Sequence, residues 1–276
     1  NGAIVGMAQN YVGSNNINIL KPNGQFGTRL KGGKDAASPR YIWTELSSIT
    51  PYIFNKNDNY VLNNQLEDGM PIEPEFYAPI IPMILVNGTE GIGTGFSTKI
   101  PNFNPIDIIN NLLNMIDDKK YKSMRPYWNN FNGTIKKIDK HNYELYGKHE
   151  FKDNKVIITE LPVGEWTTSY KEFLEKQLDN ESNKKEKQLL NYKDNNTDKK
   201  VYFELEFHKD AIDDIDTESF EKQYHMIKKI GLTNMHLYST TGCIKKYSSI
   251  KSIMTEYYDY RLELYQKRKD YLLGKL

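Results

Sequence analysis

Gly32-Gly33-Lys34-Asp35-Ala36-Ala37-Ser38-Pro39-Arg40-Tyr41-Ile42-Trp43-Thr44 is the stretch whose reading decides the fold. The paired glycines open a loop, since glycine adopts left-handed backbone without steric cost. The β-branched and aromatic run from Tyr41 to Leu46 then reads as a strand. Upstream, Gln25 to Leu30 reads as the strand entering the loop and Pro22-Asn23-Gly24 as a tight turn. Ile17 to Leu20 supplies the partner strand. Ile4, Met7, Ala8, Tyr11 and Val12 recur at helical spacing until Gly13 ends the helix. Downstream, Ser47 or Ser48 caps a brief helix through Phe54. A helix followed by a hairpin with a long loop is the outline of a winged helix, the hairpin being the wing.

The same stretch carries chemistry. Arg40 stands directly before Tyr41, so a phenolic oxygen that can act as nucleophile sits beside a guanidinium that can hold a phosphate. The chain has 20 tyrosines, and a tyrosine in a strand is ordinarily a packing residue. Tyr41 differs in having Arg40 before it, Ser38-Pro39 fixing the loop's approach, and Lys34 close by. A free phenol has a pKa of about 10 and is a weak nucleophile, so it needs a base and cationic partners. The sequence supplies the cations but shows no clear base and no magnesium site.

Composition bounds the partners. With 276 residues, 38% of them hydrophobic and 26% charged, the chain has the make-up of a globular protein with room for one large or several small domains. It holds no run of about eighteen apolar residues that could span a membrane. One cysteine, Cys243, excludes an internal disulfide and a zinc-finger framework and reads as a small filler after Gly242. The five histidines are scattered, which argues against a protein-only metal site. Net charge is +1, so affinity for nucleic acid has to come from local clusters at Lys31-Lys34-Arg40, Lys136-Lys137, Lys228-Lys229 and Lys245-Lys246. Asn1-Gly2 runs straight into a helical pattern and Leu276 closes another without a cap, as in an internal piece of a longer protein.

Farther along, Asn55 to Asn64 reads as a polar loop and Pro79 to Val86 as a buried strand. Gly88, Gly91, Gly93 and Gly95 follow. A dinucleotide-binding loop would need a helix to open among these glycines, and Phe96-Ser97-Thr98-Lys99-Ile100-Pro101 is no helix opening. Ile92 is read instead as an exposed apolar tip able to wedge between base pairs, against the plainer reading of a loop anchor. Asn104 caps a helix from Pro105 whose Ile108, Ile109, Leu112, Leu113 and Ile116 are expected to be buried. Strands are expected at Gly133–Ile135, Tyr143–Tyr146, Val156–Leu161 and Val201–Phe207, and helices around Tyr170–Leu178 and Phe220–Ile230. Residues 180 to 200 read as a polar excursion. From Ser248 the pattern is one long helix, whose near-heptad spacing is interrupted by Arg261 and Arg268, favouring an arm over a core helix.

Taken together, several blocks resemble the breakage-reunion region of eukaryotic-type (type IIA) DNA topoisomerase II. They are Met7-Ala8-Gln9-Asn10, Gly13-Ser14-Asn15-Asn16, Gln25-Phe26-Gly27-Thr28-Arg29, the stretch Gly33 to Tyr41, and Pro82 to Gly88. Glu90 to Gly95, Ile100-Pro101-Asn102-Phe103, Glu160-Leu161-Pro162 with Trp166-Thr167, Gly242 to Tyr247 and Leu272-Leu273-Gly274 continue the match in family order. The departures are Lys31, Trp43 and Phe96, where the family usually has histidine, phenylalanine and tryptophan, and a shorter tower before Leu232.

The resemblance implies an α+β chain: a winged-helix domain over residues 1–80, a mixed α/β tower over 81–244, and the start of a coiled-coil arm over 245–276. It implies that Tyr41 becomes linked to a 5′ phosphate, that Arg40 stabilises the transition state and that Ile92 intercalates. Lys34, Gln25 and Arg29 fall in the block that lines the cleaved DNA, and Lys228 and Lys229 in a further DNA-contacting stretch. The partners implied are duplex DNA and a second copy of the chain. Magnesium and ATP would be bound by parts of the protein outside this chain. The implied reaction is ATP-dependent passage of one duplex through another, in the nucleus, or in a host nucleus or viral factory for a viral source. The competing reading is a winged-helix DNA-binding or architectural protein without chemistry.

Overall fold

The computed structural model describes residues 1–179 and 189–276. Helix α1, Gly2–Ala8, opens the chain. Residues 9–44 hold little regular structure: a turn of 3-10 helix at Pro39–Tyr41 and an isolated antiparallel bridge between Asn23 and Trp43. Helix α2, Thr50–Ile53, a 3-10 turn at Lys56–Tyr60, and the hairpin of β1, Asn64–Glu67, with β2, Met70–Pro74, come next. Helix α3, Met83–Val86, leads to the hairpin of β3, Thr89–Ile92, with β4, Ser97–Ile100, and to α4, Pro105–Ile116. Four strands follow: β5, Thr134–Lys137, β6, Asn142–Tyr146, β7, Lys148–Lys152, and β8, Lys155–Glu160. Helix α5 spans Thr167–Asp179, β9 Leu189–Asp194 and β10 Phe203–Phe207. The chain ends with α6, Lys209–Asp214, α7, Thr217–Gln223, β11, Ile227–Gly231, β12, His236–Tyr238, β13, Ile244–Lys246, and α8, Ile250–Gly274.

Several expectations change for local reasons. The strands expected at residues 17–20, 25–30 and 41–46 do not form. Gly27 turns out of the extended region at φ +102°, and Pro39 starts a 3-10 turn that carries Arg40 and Tyr41. The run 79–86 is helical at its end because Pro82 sits at the N-cap; an apolar run this short does not distinguish strand from helix by pattern. The helix expected over 220–230 stops at Gln223, since His225 adopts φ +53° and swings the chain into β11. Of the five apolar residues expected inside on α4, Ile108 is buried, whereas Ile109, Leu113 and Ile116 are exposed. The expected excursion at 180–200 includes β9, and its residues 180–188 lie outside the described residues. Cys243 is exposed, so it is not a buried filler.

The chain divides into two compact units. Unit one combines residues 1–44 with 126–231. Its core is the antiparallel sheet β7-β8-β10-β9, against which α5 and α7 bury Tyr170, Leu174, Phe220 and Tyr224. Val156 and Ile158 of β8 and Phe203, Leu205 and Phe207 of β10 are fully buried at alternate positions, as a one-sided sheet requires. Each such side chain contributes about 1.5–3 kcal/mol of transfer free energy. A second sheet, β11-β6-β5, joins the same unit around Trp128, Leu145 and Val163.

Unit two combines residues 45–125 with 232–276. Ser249 caps α8 through a reciprocal bond pair with Ser252. The first half of α8 is core: Ile253, Met254, Arg261 and Leu264 are all buried. Arg261 bonds Asp58 at 2.6 Å and the Ala78 carbonyl at 3.1 Å, and Arg268 reaches the other oxygen of Asp58 at 3.0 Å. Both arginines that break the heptad pattern are therefore held by the Asp58 carboxylate. Packing groups distant segments, where the sequence reading divided the chain successively at 80 and 244. Among the described residues no helix is long and apolar enough to cross a membrane.

Candidate nucleic-acid interface

Unit one presents the loop from Gly27 to Tyr41, and its shape comes from satisfied backbone groups rather than from strands. The Asp35 carboxylate accepts the Thr28 amide at 2.8 Å and the Thr28 hydroxyl at 2.5 Å, closing the loop on itself. The Gln9 side chain donates to the Phe26 carbonyl at 2.9 Å, and the Tyr11 hydroxyl donates to Gln9 Oε1 at 3.4 Å. Burial, with Asp35 nearby, pushes the Tyr11 phenol up to about 12. At the far side the Ala37 amide donates to the Gln25 carbonyl at 2.9 Å and Trp43 to Asn23 at 3.2 Å.

A second set of contacts ties this loop to the start of α5. Thr168 donates its amide to the Leu30 carbonyl at 2.9 Å. Gly32, at φ +60°, lies flat against the Trp166 indole, where a Cβ would come within 2.3 Å of the ring. Arg29 pairs with Glu160, and both side chains are almost wholly buried. Glu160 further accepts the amides of Leu161 at 3.1 Å and Asn132 at 3.2 Å, so its charge is compensated on all sides.

The outer face of the loop is bare. Tyr41 is 70% exposed, and the Arg40 guanidinium carbon lies 4.8 Å from the centre of its ring. Lys31 and Lys34 of the same loop are also exposed. Gln25 is exposed too, with its Oε1 accepting the Gly27 amide at 3.3 Å. Arg29, expected to face DNA, is corrected: it points inward and holds the loop. Lys228 and Lys229 neighbour each other on β11 and so point to opposite faces of the sheet. Lys228 is half-buried and donates to the Gly164 carbonyl at 2.8 Å, whereas Lys229 is exposed and 3.6 Å from Glu144. The pair is not one basic patch.

In unit two, Ile92 stands at the end of the β3–β4 hairpin and is 92% exposed. The anchor reading fails on that number. Phe96, at the other side of the turn, is 51% exposed. Sequence reasoning missed Asp35 and Glu160. Their type and position carry no signal of a partner 7 or 131 residues away in the chain.

Around Tyr41 the donor set does not suit magnesium. The Asp35 carboxylate of the same loop is occupied by Thr28, and the described residues contain no group of three His, Cys, Asp or Glu side chains that could hold a metal.

Unit one thus carries an exposed phenol beside a guanidinium on an anchored loop, and unit two a bare apolar hairpin tip. The chain belongs to the family of the A subunits of DNA gyrase and topoisomerase IV, whose model matches residues 1–276. Within that family it is similar to eukaryotic DNA topoisomerase 2. It is 47% identical to the Bombyx mori protein over 99% of this chain and 44% identical to the Saccharomyces cerevisiae protein over 99%. It spans only 18% and 19% of those relatives' lengths. The crystal structure of the Plasmodium falciparum topoisomerase II DNA-binding, cleavage and re-ligation domain superposes with a TM-score of 0.95 at 41% identity, covering 99% of this chain and 37% of that one.

Proposed function

We propose that this chain is the DNA-cleaving and rejoining segment of an ATP-dependent type II DNA topoisomerase. The observation that carries the proposal is the bare Tyr41 phenol, set with Arg40 on a loop whose Asp35 and Arg29 are already engaged within the fold. The Tyr41 oxygen attacks a backbone phosphorus as the bond to the 3′ oxygen breaks. The phenol loses a proton and the 3′ oxygen gains one, leaving the strand held by a 5′-phosphotyrosyl link. The reverse attack by the 3′ hydroxyl rejoins the strand, so no external energy is needed to reseal it. Arg40, with Lys34 and Lys31, meets the charge that builds on the phosphate oxygens. Arg29 is left out of this set.

Under this reading Ile92 is the wedge that bends the duplex, and Gln25, Lys228 and Lys229 are secondary contacts at most. A homodimer supplies two Tyr41 residues for two staggered nicks. Family membership accords with magnesium and ATP as cofactors, and in this reading both are held by parts of the protein outside this chain. The sequential division into a winged-helix part (1–80), a tower (81–244) and the start of an arm (245–276) is part of the proposal. So is action in a nucleus, or in a host nucleus or viral factory for a viral source.

The test is Tyr41→Phe in the full-length protein, with denaturing gels scored for protein-linked DNA ends. The expected result is complete loss of the covalent complex with DNA binding retained. Covalent complex or relaxation activity persisting in the variant overturns the assignment and leaves a non-catalytic DNA-binding protein as the reading.

A further inference from the structure

The β3–β4 hairpin that carries Ile92 is a two-stranded ribbon, and such ribbons are marginal alone. What steadies this one is an adjacent segment, Asn234 to His236, anchored in unit two by the fully buried Met235. The Tyr247 amide donates to the Met235 carbonyl at 2.8 Å, which fixes that anchor to the β12–β13 hairpin.

The register places Ser97 directly opposite Ile92. Gly93 donates to the Phe96 carbonyl at 2.8 Å, so the next pair, Ile92 with Ser97, is of the non-hydrogen-bonded kind. In such a pair the two side chains are closest and the backbone groups point away from the partner strand. The Ser97 carbonyl therefore faces outward, towards the 234–236 segment. It is met there by His236 Nδ1 at 2.9 Å. Asn234 donates its Nδ2 to the Ser97 hydroxyl at 2.8 Å. Two further bonds flank the pair: the Lys99 amide donates to the Asn234 carbonyl at 2.8 Å, and the His236 amide to the Thr98 hydroxyl at 3.3 Å.

The chemistry of the ring is set by these neighbours. His236 Nδ1 faces two acceptors, the Ser97 carbonyl and Asn234 Oδ1 at 3.1 Å, so it carries the hydrogen. The imidazole thus supplies the donor that the backbone of a third strand would otherwise provide. Its ring also packs, tilted, against Phe96 with ring centres 5.7 Å apart, on the other side of the turn from Ile92.

We propose that His236 and Asn234 are positioning residues for Ile92: they clamp the carbonyl and the hydroxyl of the residue opposite it and so hold the exposed tip at one angle to the duplex. This rests on the reading of Ile92 as a wedge. Intercalation has to supply a few kcal/mol of unstacking. A tip that swings freely spends part of its contact energy on being ordered, so loss of the clamp lowers the bent population.

The test uses full-length protein and a doubly labelled duplex whose bend is read by energy transfer, beside DNA affinity and thermal midpoint. His236→Leu removes the donor and is expected to lower the bent-to-straight ratio about fivefold, the factor carried by one hydrogen bond of ordinary strength. His236→Asn, whose amide nitrogen can stand near the Nδ1 position, is expected to restore most of it. Ser97→Ala, a small change at an exposed site, removes only the hydroxyl arm and should give a smaller drop without threat to folding. Ile92→Ala is the reference for the wedge itself. A reduced bend in Ile92→Ala with unchanged bends in His236→Leu and Ser97→Ala overturns the clamp alone. An unchanged bend in Ile92→Ala overturns the wedge, and the clamp falls with it.

Discussion

Arg40 does two things that lysine could not do together. Its flat guanidinium lies over the Tyr41 ring at 4.8 Å, and its fork can hold two phosphate oxygens at once. Arg40→Lys keeps the charge but loses the fork and most of the stacking. Covalent complex formed by the full-length protein is expected to fall about 10²-fold, the usual effect of removing a donor from a developing oxyanion. DNA affinity should change little, because phosphate binding draws on summed charge. Equal losses in filter binding and in cleavage assays would count against this division of labour. At this scale the reading of the sequence and the structure meet on exposure: Tyr41 and Ile92 are bare, and Arg40 lies beside the Tyr41 ring. The sequence was not legible for Arg29. A cation in a DNA-facing block looks the same whether it meets phosphate or, as here, a buried carboxylate 131 residues away.

The element that matters most is a loop held from behind. Gly32 on the Trp166 indole, Leu30 on the Thr168 amide of α5 and Arg29 on Glu160 fix it without any strand pairing. Glu160→Gln leaves the Arg29 charge buried and uncompensated. The expected cost is about 3–5 kcal/mol of unit-one stability, read as a shifted denaturant midpoint, together with weaker cleavage even at temperatures where the fold survives. A midpoint within experimental error of the parent would show that the pair is not needed. Periodicity recovered the regular elements that bury one face, such as β8, β10, α5 and α8. It failed where the backbone is shaped by one residue: Gly27 and Pro39 in place of strands, Pro82 starting a helix, and His225 ending one. Apolar spacing on α4 matched a helix but not its burial, since Ile109, Leu113 and Ile116 are exposed.

Over the whole molecule, the tyrosines give the folded state an alkaline limit. Burial pushes the Tyr11 and Tyr192 phenols up to about 12, and Tyr170, Tyr224 and Tyr257 rise for the same reason. A raised phenol favours the neutral form in the folded chain. Its contribution is complete below the unfolded value of about 10 and is lost as pH climbs through the folded value. Thermal midpoints should therefore fall steadily from about pH 10 upwards, and Tyr11→Phe should flatten part of that slope. A midpoint independent of pH across this window would contradict the burial argument.

The division into two units, each assembled from separated segments, sets a schedule for folding during synthesis. Residues 1–44 complete unit one only with 126–231, and residues 45–125 complete unit two only with 232–276. At ordinary elongation rates of about 5–20 residues per second, the first segment waits roughly 10–40 s for its partner. Through that interval the Tyr41 loop has neither Glu160 nor Trp166 behind it. The Tyr41 loop thus becomes rigid only after its distant supports are made, and a nascent chain stalled before residue 160 would display Tyr41 without them.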